Sequence, residues 1–182
     1  MTMRLFLALV PPLAVRQPLI AAMHSLAGAR WQSDAQLHVT MRFIGDVDRH
    51  CADALILALR YERFANVEVR LDGFGHFERR GRVDQLWAGL APRDPLAALH
   101  MRLDRLCVSC GLEPEGRRFV PHITLARFSR STAPGAGQLA AWLSAQPPLP
   151  GDMFAFDRLA LMQSHLGNDG SVYEVLAEVG MG

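Results

Sequence analysis

A chain of 182 residues, 50% hydrophobic and 20% charged, has the composition of an ordinary globular protein and is long enough for one substantial core, or two small lobes sharing one. Its 19 basic and 18 acidic residues leave a net charge of +1, which excludes bulk attraction to a polyanion; any anion binding has to be local. Every basic residue is arginine, a usage that suits bidentate phosphate contacts and equally fits a GC-rich genome.

Residues 3–10 read as a first strand: the apolar run is short, two prolines stop it, and no small-residue cleavage site follows. A helix is expected over residues 13–27, with Pro18 awkward near its first turns. A strand over 37–44 and a helix over 49–63 follow. Two strand-like runs, 67–77 and 83–90, then flank the turn-prone ERRGR. Residues 95–111 have helical apolar spacing and end in glycine. The order then repeats, with a strand over 119–128, a Gly-rich loop, a helix over 137–145, the break PPLPGD, and strands over 154–164 and 171–178 around the turn signal Asn168-Asp169-Gly170. No apolar run approaches the roughly 20 residues that cross a bilayer, so no membrane is expected and the expected location is the cytoplasm.

Cys51, Cys107 and Cys110 are an odd number, which argues against a secreted disulfide framework. Cys107 and Cys110 form a CxxC, but a redox CxxC opens a helix, where the dipole favours thiolate, and this one closes it. Zinc would need partners that no second CxxC supplies. Structural cysteines are the better reading.

The segments LHVTMRF and PHITLAR each place a threonine two residues after a histidine: His38 with Thr40, and His122 with Thr124. In a strand, residues i and i+2 share a face. Alternation therefore sends Leu37, Val39, Met41 and Phe43 to the core and His38, Thr40 and Arg42 to the other side. In the second strand Ile123 and Leu125 go to the core, and His122 and Thr124 away from it. One such strand is unremarkable for a half-exposed sheet. Two of them, 84 residues apart (122 − 38), with hairpin turns near Gly81 and Gly170 at a similar offset, indicate an internal duplication. The expected fold is α+β: two pseudo-symmetric lobes, each an antiparallel sheet with helices on its outer face, forming one domain over 1–182 with the His-Thr pairs facing across a cleft.

The pair has a chemical use. Two histidines across one phosphorus can act as general acid and general base, because an imidazole near its ordinary pKa of 6.5 is neutral or charged around neutrality. Each threonine hydroxyl can donate to a non-bridging oxygen, and neither a metal nor another cofactor is called for.

These two HxTx motifs, HVTM at His38 and HITL at His122, resemble the signature of the two-histidine (2H) phosphoesterases, and within them the bacterial RNA 2′,3′-cyclic phosphodiesterases, long called 2′-5′ RNA ligases. The likeness runs through RLFLAL, LHVTMRFIGDV, LDGFGHF, LWAGL, GLEPEGRRFVPHITLARF and LMQSHLGNDGSVYEVL. The resemblance implies hydrolysis of an RNA terminal 2′,3′-cyclic phosphate to a 2′-phosphomonoester, with reversible ATP-independent 2′-5′ ligation. It makes His38 the proton donor, His122 the acceptor, and Thr40, Thr124 and Arg127 the phosphate contacts. Strict alternation puts Arg127 on the face opposite His122, so this last assignment requires a bulge or the end of the strand. The implied partner is an RNA with a cyclic phosphate end, tRNA halves included, or a small cyclic nucleotide, and a monomer is expected. A 2H enzyme for another cyclic or 2′-linked nucleotide, and a non-catalytic nucleotide-binding module, use the same residues.

Of the other histidines, His76 and His165 near the hairpin turns are the ones to watch for RNA contacts; His24, His50 and His100 read as surface or structural. Among Trp31, Phe77, Trp87, Phe119 and Phe128, the parity of Phe128 makes it the best candidate to stack on a base, a contact worth about 1–3 kcal/mol.

Overall fold

In the computed structural model, which describes residues 2–167 and 170–182, the alternating runs become strands and the helical periodicities become helices in the expected order. Strand β1 (Met3–Leu9) leads to α1 (Leu13–Ala22), the two-residue β2 (Arg30–Trp31) and β3 (Val39–Val47). Then come α2 (Arg49–Tyr61), the hairpin of β4 (Val67–Arg79) and β5 (Arg82–Ala91), and α3 (Asp94–Ser109). The chain continues through β6 (His122–Arg127), α4 (Ala136–Ala145), β7 (Phe154–Phe156), β8 (Arg158–Gly167) and β9 (Gly170–Gly180). Of the Asn168-Asp169-Gly170 turn signal, Asn168 and Asp169 lie outside the described residues.

Local chemistry sets the helix ends. The Asp48 carboxylate accepts the Cys51 N–H at 2.8 Å and caps α2, an interaction worth about 1 kcal/mol. Helix α3 closes on Gly111 at φ +89°, with Leu112 N–H donating to Cys107 O at 3.1 Å and Gly111 N–H to Val108 O at 2.9 Å, the Schellman pattern. The CxxC thus sits at a helix end; Cys107 is buried and burial pushes its thiol up to about 12, as a structural cysteine requires. Helix α1 stops at Ala22 rather than at residue 27, because Ser25 turns to φ +59° and Gly28 to +77°. The released loop offers the His24 carbonyl to Trp142 Nε1 of α4 at 2.8 Å.

Among the described residues the strands form one nine-stranded antiparallel sheet, in the order β7-β4-β5-β6-β3-β1-β8-β9, with β2 paired to β6. The fold is α+β. Two four-strand groups meet where β3 and β6 share a single residue pair, Val39 with Ile123. Each lobe draws on both halves of the chain: the β4–β5 hairpin, which follows the first histidine strand, lies with β6, and the β8–β9 hairpin, which follows the second, lies with β1 and β3. The repeats have exchanged hairpins. Residues 154–164, expected as one strand, split at Asp157, with β7 pairing β4 and β8 pairing β1. Adjacent residues near opposite ends of the strand order require the sheet to curl, and a Phe64–Met181 bridge with a 2.9 Å bond from Gly182 N to Phe64 O closes the gap.

Helices α1, α2 and α3 bury Leu19, Leu55, Leu59 and Leu103 against Leu7, Val39, Ile123 and Leu161 of the sheet. Each fully buried leucine is worth about 1.5–3 kcal/mol. Helix α4 closes a second cluster, Leu139 and Trp142 against Leu86 and Phe128. The other side of the sheet is left for a cleft. No helix among the described residues is long and apolar enough to cross a membrane.

Candidate active site

Both histidine strands carry a bulge at the same place. Between β1 and β3 the register passes from Leu7 opposite Arg42 to Ala8 opposite Thr40, leaving Met41 over; between β5 and β6 it passes from Leu86 opposite Ala126 to Trp87 opposite Thr124, leaving Leu125 over. Both bulge carbonyls are satisfied from outside these ladders: Met41 O accepts from His100 Nδ1 at 2.6 Å, and Leu125 O from Gln32 N at 2.8 Å. A bulge interrupts the alternation, so the residues beyond it change face.

Two expectations are corrected by this. Arg42 is 5% exposed and turned to α3, where its Nε donates to Asp104 Oδ1 at 2.7 Å, whereas Phe43 is 44% exposed and lines the cleft. In β6 the bulge sends Leu125 and Ala126 to the core and returns Arg127 to the histidine side, where it lines the cleft with His122 and Thr124. The parity objection to Arg127 is removed. Phe128, by contrast, borders the cleft but is 5% exposed and packed in the α4 cluster, so it presents little of its ring for stacking.

The cleft has a volume of about 1010 Å³, and all five candidate residues, His38, Thr40, His122, Thr124 and Arg127, line it. The two histidines are held alike. His38 Nδ1 donates to the carbonyl of Gln36 at 2.7 Å, and His122 Nδ1 to that of Val120 at 2.6 Å, in each case the residue two before the histidine. A carbonyl can only accept, so Nδ1 carries the proton in both rings and Nε2 keeps its lone pair. At His38 that lone pair receives the Thr40 hydroxyl at 3.1 Å. Thr124 donates to Gln85 Oε1 at 3.4 Å.

Aromatic rings brace both imidazoles. Phe77 stands edge-on to His122, centroids 4.9 Å apart at 89°, and Tyr173 stands edge-on to His38, 5.1 Å apart at 87°, with Phe6 also at 5.1 Å. Of the aromatics singled out in the sequence, Phe77 has the closer contact with His122, Trp87 lies 6.1 Å away, and Phe119 instead stacks on the structural His100 at 4.3 Å. Tyr173, Phe6 and Gln36 were not legible as site residues. Gln36 donates from Nε2 to Ser171 O at 2.5 Å and so ties the support of His38 to β9, a contact across 135 positions that no local pattern signals. Neither His76 nor His165 is among the residues lining the cleft; they pair with Glu78 at 3.4 Å and Glu174 at 2.9 Å.

Burial, above all, lowers the pKa of both histidines, to about 4 for His38. The carbonyl bonds oppose this, and the nearby Arg127 charge adds to it, which places Arg127 within electrostatic reach of both rings. The cleft can therefore offer an anion two neutral imidazoles with unprotonated Nε2 atoms, that of His38 bonded to the Thr40 hydroxyl, together with two hydroxyls and the Arg127 guanidinium.

Residues 11–168 match the family model of the 2′-5′ RNA ligase superfamily. The chain is similar to a protein of Aeropyrum pernix named RNA 2′,3′-cyclic phosphodiesterase, 32% identical over 154 residues that cover 80% of this chain and 82% of that one. It is similar to a protein of the same name from Thermotoga maritima, 30% identical over 153 residues covering 83% and 79%. Its fold is similar to that of E. coli LigT, solved complexed with 3′-AMP, with a TM-score of 0.77, 26% identity and coverage of 100% of this chain and 99% of that one. A match that takes in both histidine strands and most of the residues between the termini means that this chain belongs to the 2′-5′ RNA ligase superfamily.

Proposed function

We propose that the protein opens the 2′,3′-cyclic phosphate at an RNA end to a 2′-phosphomonoester by two-histidine acid–base catalysis without a metal. The observation that carries this reading is the repetition of one device in the two lobes: an imidazole fixed through Nδ1 by the carbonyl two residues before it, with a threonine two residues after it on the same cleft. The names of the two relatives support the substrate class, and the 3′-AMP in E. coli LigT supports a cleft that takes a nucleotide phosphate. Because both lobes belong to one sheet, we read residues 1–182 as one domain.

In this reading His122 Nε2 takes a proton from water as the oxygen attacks phosphorus. His38, as imidazolium, gives its Nε2 proton to the departing 3′-oxygen. Thr40, Thr124 and Arg127 meet the non-bridging oxygens, where negative charge grows in the transition state. The 3′-oxygen–phosphorus bond breaks, the 2′ bond stays, and the pair of rings ends with its protons exchanged. A 5′-hydroxyl RNA end in place of water gives a 2′-5′ diester by the same path without ATP. Phosphorus NMR of the product from a nucleoside 2′,3′-cyclic phosphate tests the assignment. A 2′-phosphate is expected; a dominant 3′-phosphate would exchange the roles of His38 and His122, and no turnover of cyclic nucleotides or cyclic RNA ends would leave a binding module.

A further inference from the structure

We propose that Arg30 is a specificity-determining residue that binds a phosphate on the 5′-oxygen of the nucleotide whose cyclic phosphate reacts, an inference that rests on the function proposed above. Strand β2 has only two residues. Trp31 pairs with Ala126 on the core side and packs on Trp142, centroids 6.0 Å apart, which anchors the strand. Arg30 pairs directly opposite Arg127, so the two arginines share a face, and both line the cleft that holds His38 and His122.

Like charges directly opposite in a ladder repel. Two of the other arginines that line the cleft are held by carboxylates, Arg42 by Asp104 at 2.7 Å and Arg117 by Glu115 at 2.8 Å, while Arg4 and Arg79, like Arg30 and Arg127, have none within 4.0 Å among the described residues. Asp46 and Asp84 also line the cleft, yet among the described residues no carboxylate comes within 4.0 Å of Arg30 or Arg127. Two adjacent guanidinium groups without counter-charge, at the mouth of a phosphate-sized chemistry, form an anion site.

They are not equivalent. Arg127 acts on both histidines and is taken by the reacting phosphate, while Arg30, about 4.8 Å across the ladder from it on the edge of β6 that β3 also uses, is exposed and is not among the charges that lower either ring. What remains for Arg30 is a second anion within the reach of one nucleotide. On a nucleoside 2′,3′-cyclic phosphate that position is the 5′-oxygen. An internucleotide diester or a terminal 5′-monophosphate supplies the same chemistry there.

The test compares wild type with Arg30→Gln and Arg30→Lys. Equilibrium binding is measured for adenosine 2′-phosphate and adenosine 2′,5′-bisphosphate, and kcat/KM for adenosine 2′,3′-cyclic phosphate, its 5′-phosphorylated form and a dinucleotide with a cyclic end. Wild type is expected to favour the 5′-phosphorylated member of each set by about tenfold, as a charged hydrogen bond at a wet rim allows. Arg30→Gln is expected to abolish that ratio and Arg30→Lys to keep part of it. A ratio of one in wild type, or a ratio unchanged in Arg30→Gln, overturns the proposal. A preference for the dinucleotide alone also overturns it, since the neighbouring nucleoside would then be read in place of the phosphate. If no cyclic substrate turns over, the proposed function fails, while the binding ratio still decides the role of Arg30.

Discussion

The pH dependence of turnover probes the electrostatics of the cleft. Burial, and then the Arg127 charge, holds His38 down to about 4 and lowers His122 below its ordinary 6.5. At pH 7 about one free molecule in 10³ carries a proton on His38, yet an acid–base pair needs one proton shared between two rings. The substrate supplies the missing attraction. A phosphodiester anion about 4 Å from an imidazolium, at an effective dielectric of about 20, stabilises it by about 4 kcal/mol, enough to carry a ring from about 4 to about 7. The profile of kcat/KM, which reports the free protein, is therefore expected to peak below pH 6.5. That of kcat, which reports the complex, should peak higher by about one to three pH units. Initial rates on a nucleoside 2′,3′-cyclic phosphate between about pH 4 and about pH 9, below and above KM, measure both. Coincident bells centred at or above pH 7 would refute the argument, because the free cleft would then not hold its imidazoles neutral. Stability carries the same sign. A folded-state pKa below the unfolded value means that the unfolded chain binds more protons, so the contribution is complete above pH 6.5 and is lost as pH falls from there through about 4. For His38 full conversion is about 3 kcal/mol, which the ring's cleft-facing, wetted edge reduces to about 1–2 kcal/mol.

Replacing His122 with Asn keeps a donor for the Val120 carbonyl and deletes Nε2; turnover is expected to fall about 10²–10⁴-fold with thermal unfolding little changed, and His38→Ala to lose a similar factor. Near-normal turnover in either variant would make that histidine an ordinary half-buried residue. Activity is expected to survive EDTA, since two imidazoles, two hydroxyls and Arg127 account for every proton and charge in the proposed step; loss restored by a divalent ion would sink the metal-free mechanism. A Cβ on Gly75 would stand 2.2 Å from the Trp87 indole, which lies 5.3 Å from Phe77, the ring bracing His122. Gly75→Ala is thus expected to cost about 1–3 kcal/mol in chemical unfolding and to slow turnover, and a variant normal in both assays would show that the indole carries no support to the site.

The order and type of elements were legible because periodicity is local. Val39 and Met41 of β3 and Leu96, Leu99, Leu103 and Cys107 of α3 sit in the core where alternation and helical spacing put them. What failed was whatever depends on a distant partner. The two-residue β2 has no period to read, and it exists because Trp31 finds Ala126 and Trp142. Residues 154–164 read as one strand, but β4 takes the first part and β1 the second. The duplication was visible from the spacing of the histidines, whereas the exchange of hairpins between lobes was not, since strand pairing is a property of the assembled sheet.

For the site, the two motifs identified both histidines and both threonines, and the rule that assigned their faces broke one residue further on. At the fourth position of each motif, Met41 and Leu125, the register slips, so Arg42 and Ala126 both turn to the helix side and Phe43 and Arg127 both turn to the cleft. The copies break alternation alike, and that agreement is what shows the bulge to be part of the repeated device. It also marks where the two-fold likeness ends. Five residues after His122 the cleft presents a guanidinium. Five residues after His38 it presents the Phe43 ring, already covered by Arg117 at 4.6 Å. An anion placed between the histidines thus meets, on the Arg127 side, a guanidinium with no carboxylate within 4.0 Å among the described residues and, on the Phe43 side, the Arg117 guanidinium already paired with Glu115 at 2.8 Å. The two senses in which an anion could enter the cleft are accordingly unequal in energy.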